Sequence, residues 1–84
     1  MKKHHDIKIL PIYYDYVREG RKTFELRIND RDYQSADTVT LHEWEKDNYT
    51  GRKMKFEIGY VLKLNNFINT DSNHVVFSLL EYYE

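Results

Sequence analysis

The stretch from Lys53 to Leu62 constrains this chain most. Met54, Phe56, Ile58, Tyr60 and Leu62 alternate with Lys53, Lys55, Glu57 and Gly59. A period of two puts the first set on one side of an extended strand and the second on the other. Such a strand needs neighbours to cover its apolar side, so the chain is committed to a sheet.

Other segments supply the neighbours. Ile7 to Leu10 reads as a first strand, with Ile7 and Ile9 on one face and Lys8 on the other. Pro11 suits the first turn of a helix, where its missing N–H is not needed. The helix runs to Glu19 with Ile12, Tyr13, Tyr16 and Val17 spaced to face the core, and Gly20 supplies the left-handed stop. Lys22 to Asn29 is a strand and residues 29–32 a polar turn. Val39 to Trp44 alternates as a strand whose second face carries His42 and Trp44. Residues 46–51 have turn composition, and residues 64–72 form a polar connection with one helical turn around Phe67 and Ile68. His74 to Tyr82 closes the chain as a buried strand. Five strands and one main helix near the N-terminus predict an α+β domain, a small, mostly antiparallel β-barrel with the helix over one end. At 84 residues the chain is one domain, 1–84, with residues 1–4 a flexible lead-in.

The segment Gly20-Arg21-Lys22-Thr23-Phe24-Glu25-Leu26-Arg27 is the best candidate for a site. As a strand it places Phe24, Leu26 and Ile28 toward a core, and Thr23, Glu25, Arg27 and Asn29 on the opposite face. Glu25 and Arg27 then lie roughly 7 Å apart, close enough to pair or to grip one ligand. Lys22 converges with them if the regular strand begins after Thr23. A solvated ion pair worth roughly 0 to 1 kcal/mol is the plain alternative.

These residues match a G-x-K-x-x-E-x-R pattern, and in it the chain resembles the ASCH superfamily of PUA-like domains. Further matches are His5-Asp6-Ile7-Lys8-Ile9-Leu10-Pro11, Asn29-Asp30-Arg31-Asp32-Tyr33-Gln34, Glu43-Trp44 and Tyr49-Thr50-Gly51-Arg52. Together they span roughly residues 5 to 62 and resemble a compact bacterial and phage branch of that superfamily. The resemblance implies a PUA-like pseudobarrel and a surface cleft that binds RNA or a nucleoside. It places Lys22, Glu25 and Arg27 in that cleft, with Lys8, Arg31 and Trp44 as secondary candidates. Lys22 and Arg27 would contact phosphate or base carbonyl oxygens, and Glu25 would accept from exocyclic amines or hold Lys22 in place. Some small relatives are amidohydrolases on acylated cytidines, using a Lys near a Thr nucleophile. The threonine three residues after the motif lysine is Glu25 here, which removes that nucleophile, and Thr23 is no evident substitute. Other relatives cleave RNA with basic and tyrosine residues, chemistry in which Lys22 would be the catalytic candidate. Where the branch has glycine before an aspartate, this chain has Ala36-Asp37, a small strain if the turn needs a positive φ.

Charge limits the partner. Thirteen Lys and Arg against fourteen Asp and Glu leave a net charge of −1. That disfavours tight, sequence-independent grip on a long nucleic-acid backbone. Residues 18–31 and the cluster Arg52, Lys53, Lys55 are locally basic, which suits a nucleotide or a short single strand better than a duplex. A protein partner met through the aromatic surface is a further alternative.

Several chemistries are disfavoured. The chain has no cysteine, so disulfides and thiolate catalysis are excluded. Together with the lack of an apolar span or signal peptide, this predicts a cytoplasmic protein without a membrane partner. His4-His5-Asp6 lacks metal-ligand spacing, and neither a metal nor a cofactor is expected. His42 and His74 read as packing or solvent residues. Ser35, Ser72 and Ser78 lack a nucleophile context. Trp44 lies between two glutamates, set either for rim packing or for stacking a base. Among eight tyrosines, Tyr33 and Tyr49 sit in loops and are the better platforms.

Overall fold

The computed structural model describes residues 2–82. The elements are β1 (His4–Ile9), α1 (Pro11–Arg18), β2 (Phe24–Ile28), β3 (Thr38–Glu45), β4 (Asn48–Lys63), a short 3₁₀ turn (Leu64–Asn66) and β5 (His74–Glu81). All five strands form one sheet in the order β1-β3-β4-β5-β2. β1 and β3 run parallel, whereas β3–β4, β4–β5 and β5–β2 are antiparallel. The expected antiparallel barrel is therefore corrected to a mixed sheet forming a half-barrel, left open between β1 and β2. After β1 the chain passes through α1 and builds β2 at the far edge. It then returns through residues 29–37 to lay β3 beside β1 in the same direction, a pairing that needs such a crossover.

The core collects Ile7, Ile9, Tyr14, Val17, Tyr33, Val39, Leu41, Ile58, Val75 and Phe77. β1 alternates as expected, with His5, Ile7 and Ile9 inward. It begins earlier than the sequence suggests. The Lys3 N–H donates to Asp37 Oδ1 at 3.0 Å and Thr38 N–H to the Lys3 carbonyl at 3.0 Å, so the lead-in is tied down from Lys3 onward. Met1 lies outside the described residues.

Helix α1 starts at Pro11 and ends in Gly20 at φ 77°, as its sequence signals require. Its buried stripe is a correction. Tyr14 and Val17 face inward, and Ile12, Tyr13 and Tyr16 are exposed. Two turns can bury only a narrow i, i+3 stripe, and the Arg52 guanidinium, 4.3 Å from the Tyr14 ring centroid, fixes which one.

Strand β2 also reverses expectation. Glu25 is buried at 4% exposure, whereas Phe24, Leu26 and Ile28 are 46%, 53% and 57% exposed. Alternation fixes that two faces differ, not which one turns inward. At this edge the inward face meets the open seam, where charged side chains find partners. The outer apolar row is partly sheltered by register: Leu26 opposes Val76, which opposes Leu62.

The expected turn at residues 46–51 shrinks to Lys46-Asp47, both at positive φ, so the hairpin is tight and β4 starts at Asn48. β4 keeps the predicted alternation up to Ile58. A bulge between Ile58 and Val61 then flips it, leaving Tyr60 exposed and carrying Leu62 across to the outer face with Val76. A Cβ at Gly59 would fall 2.6 Å from Ser78 Oγ, so the bulge depends on glycine there.

Ala36 adopts φ 76°, the left-handed conformation in which alanine in place of glycine is strained. Ala36→Gly is expected to raise the melting temperature by about 2–6 °C in calorimetry, because relief of about 1–2 kcal/mol of strain outweighs glycine's extra chain entropy.

Candidate functional site

The two unpaired edges, β1 and β2, face each other across the opening of the half-barrel. No main-chain ladder joins them. Arginines from the β2 side reach across instead. Arg27 Nη2 donates to the Lys8 carbonyl, and Arg31 Nη1 donates to the Asp6 carbonyl at 2.9 Å. Along this seam lie two adjoining cavities of about 580 and 510 Å³, both lined by Lys8, Leu26 and Arg27. Each is of a size that holds a small organic ligand.

Glu25 organises the smaller cavity. Its buried carboxylate accepts from Lys22 Nζ on one oxygen and from Arg27 Nε at 3.0 Å on the other. Lys22 also donates to the Phe24 carbonyl at 2.7 Å. The predicted trio therefore meets in one place. Lys22 converges because β2 begins only at Phe24, leaving residues 21–23 free of the alternation. Two of the five guanidinium N–H groups of Arg27 are engaged by Glu25 and Lys8, and the others have no partner among the described residues. Tyr13 and Phe24, each about half exposed, line the same cavity, and Lys22 Nζ lies 6.0 and 5.2 Å from their ring centroids. Cations, a carboxylate and two aromatic rings in one recess can hydrogen-bond a polar edge while packing on a flat face.

The secondary candidates divide. Lys8 lines both cavities, and Arg31 lines the larger one. Trp44 borders neither. It sits on the outer face of β3, with Lys8 Nζ 3.9 Å above its ring and Tyr49 against its edge at 4.7 Å. Tyr33 lies in the loop between β2 and β3 as expected and borders the larger cavity, but its exposure is a correction: it is a core residue at 2% exposure, packed on His5 and Phe77 at 4.7 and 4.9 Å. Burial pushes its phenol pKa up, against the opposing pull of Arg27 and Arg31. Tyr49, expected in a loop, stands instead on β4; it is exposed and lines the larger cavity, as does His74. The serines are structural. Ser35 Oγ donates to the Gly59 carbonyl and Ser78 Oγ accepts the Tyr60 N–H at 2.9 Å, both supporting the bulge. Sequence reading missed Tyr13 and Phe24 as lining residues, having placed both in the core. For Phe24, two residues from Lys22, that closeness was the available signal, whereas Tyr13, nine residues away, carried none.

Two further polar clusters lie outside the lining of the two cavities. Glu43, buried on β3, accepts from Arg52 Nε at 3.0 Å, Arg52 Nη2 at 2.8 Å and Thr50 Oγ1 at 2.6 Å. Arg52 Nη2 also reaches Asp15 on α1 at 2.9 Å. These bonds hold the Glu43 and Asp15 carboxyls below the usual carboxylate range and the Arg52 guanidinium above its own. Arg52→Ala is expected to lower the urea midpoint, with Arg52→Lys intermediate, because only the guanidinium can fork onto Glu43 and stack on Tyr14 together.

In the second cluster, buried Asp37 accepts from His5 Nε2 at 2.8 Å, from the Gln34 N–H at 3.0 Å and from the Lys3 N–H. Burial raises the Asp37 pKa, but these hydrogen bonds outweigh it and hold the carboxyl below its ordinary value. Among the described residues no group of three or more His, Cys, Asp or Glu side chains is arranged to hold a metal ion. No helix among them is long and apolar enough to cross a membrane.

Comparison with known proteins agrees with the extent of this architecture. The chain is 41% identical over 68 residues to an Escherichia phage P2 protein described as "Uncharacterized 12.9 kDa protein in GpA 3'region". The match covers 81% of this chain and 62% of that relative, so the chain spans less than two thirds of the phage protein's length. Residues 4–79, from the start of β1 almost to the end of β5, match the family described as "Domain of unknown function (DUF3850)". The match spans nearly the whole half-barrel, and the chain belongs to the DUF3850 family.

Proposed function

We propose that this domain is a compact ASCH-type, PUA-like module that binds RNA or a nucleotide-like ligand in the seam between β1 and β2. The observation that carries the reading is the convergence of Lys22, Glu25 and Arg27 in one recess with Tyr13, Phe24 and Lys8. A base or nucleoside suits such a recess. Its flat face packs on the aromatic rings, its carbonyl or phosphate oxygens accept from Lys22 and Arg27, and an exocyclic amine donates to Glu25. The modest charge of the chain fits a short ligand held by a few directed bonds better than a long backbone held by counterion release.

Amide NMR titration with short single-stranded RNAs and a panel of free and acylated nucleosides tests this. Saturable shifts at residues 22–27 and Lys8 are expected, and Arg27→Ala should weaken binding roughly 5- to 150-fold, the value of one bidentate contact. Silence of that strand at millimolar ligand would overturn the reading and leave the trio as an ion-pair brace.

A second reading is a protein-interaction module. It is favoured by one observation, the exposed outer row of Phe24, Leu26 and Ile28 beside Val76 and Leu62. It predicts that Leu62→Lys, a change in the same outer row at a residue that lines neither cavity, abolishes co-purification of a partner while leaving nucleoside titrations unchanged.

A further inference from the structure

The outer face of the half-barrel is divided in composition. On the β5–β2 side it is apolar, whereas on the β1–β3–β4 side registered neighbours bring together Lys8, His42 and Lys53 in one row and Asp6, Thr40 and Lys55 in the next. His4 opposes Thr38, which opposes Glu57, and the Trp44–Tyr49 pair ends the patch. Three lysines and two imidazoles thus face two carboxylates in a chain of net charge −1. One of those carboxylates is already shared. Asp6 Oδ1 contacts His42 Nε2 at 2.8 Å and His4 Nε2 at 3.3 Å. Beside them lies a recess of about 500 Å³ lined by His4, Asp6, Thr40, His42, Lys53 and Lys55.

We propose that this β1–β3–β4 face is a second site, a track for the phosphates of a single-stranded nucleic acid, with Trp44 and Tyr49 stacking one of its bases. The inference rests on the seam reading and extends it. A ligand held by its base in the seam passes Lys8, which lines both seam cavities and covers the indole, and continues onto the lysine and imidazole rows. Lys53 and Lys55 stand two residues apart on one side of β4, both exposed, and reach the recess from the same direction. The Trp44 ring has Lys8 over one face and Tyr49 at its edge, so displacement of the ammonium by a phosphate frees a stacking surface. Surface lysines of this kind recognise the phosphodiester, not the sequence, and the resulting affinity falls with salt.

The test compares octauridylate with uridine monophosphate on the whole chain. Binding is followed by anisotropy, by amide shifts and by emission of Trp44, the single tryptophan. Octauridylate is expected to bind at least tenfold tighter than the mononucleotide and to change Trp44 emission. The double variant Lys53→Ala/Lys55→Ala should remove most of that advantage. It should also reduce the slope of log affinity against log salt by about 1.4, and leave mononucleotide shifts at residues 22–27 intact. Both lysines are exposed, and a circular dichroism melt confirms that the variant folds. Equal affinity for both ligands, or an octauridylate isotherm unchanged in the double variant, overturns the track while the seam reading stands. Octauridylate binding that is lost in the double variant but indifferent to Arg27→Ala overturns the seam reading and leaves the track.

Discussion

Asp37→Ala is expected to lower the stability of the domain by about 3–5 kcal/mol. The side chain is 1% exposed and accepts from three donors in two parts of the chain, Lys3 and His5 at the N-terminal strand and Gln34 in the loop before β3. Truncation strands those donors in or near the core, and each stranded group costs about 1–3 kcal/mol. An 84-residue domain has roughly 4–13 kcal/mol in total. The variant should therefore unfold near half the urea concentration of the parent, and Asp37→Asn, which keeps an acceptor oxygen, should recover part of the loss. An unfolding free energy within about 0.5 kcal/mol of the parent would refute this role. The same carboxylate gives an acid dependence of definite sign. Its folded pKa lies below the unfolded value, as do those of Asp6, Asp15 and Glu43. The stability they add is complete above about pH 5, where the unfolded carboxylates are ionised, and is lost as pH falls through the folded values. Melting temperatures measured between pH 7 and pH 3 should fall on the acid side, with a shallower fall in Asp37→Asn.

Glu25→Ala carries the second large effect, about 3 kcal/mol of stability together with the loss of ligand binding at the seam. Removing the buried carboxylate leaves two cations at about one quarter exposure with no counter-charge between them, the situation in which breaking an ion pair is most damaging. Glu25→Gln should destabilise less, since it still accepts a hydrogen bond, yet it should weaken binding of any ligand that donates an amine. The triple change Lys22→Met/Glu25→Leu/Arg27→Met replaces the whole network by apolar groups. If the trio served only as a brace, that variant would be near parental in stability; in either case it should show no shifts with nucleosides.

Much of the fold was legible because local rules and tertiary packing agreed. Pro11 and Gly20 bracket α1, alternation marks β1 and most of β4, and Ala36 in place of glycine flagged a left-handed turn that is present. What failed shares one cause. The phase of a pattern is set by neighbours that the pattern does not name. Phe24, Leu26 and Ile28 read as core because they are apolar, yet β2 ended at an open edge where Glu25 and Arg27 had more to gain from facing inward. Tyr60 and Leu62 lost their phase at a bulge that Gly59 permits but does not announce. The parallel β1–β3 pair was invisible because strand direction leaves no mark on composition. At the candidate site, the meeting of Lys22, Glu25 and Arg27 was readable from spacing within one segment. The approach of Lys8, Tyr13 and Arg31 was set by the crossover and was not.

The seam closed by Arg27 and Arg31 has a mechanical consequence. A barrel zipped by main-chain ladders can widen only by tearing a row of bonds together, which amounts to local unfolding. Here the aperture between β1 and β2 is held by two side chains gripping the Lys8 and Asp6 carbonyls. Rotamer changes of such side chains take picoseconds to nanoseconds, so the jaw can change its gape without the sheet giving up a single ladder bond. The width of the opening is thereby set by two side chains and not by the ladder bonds that hold the sheet together.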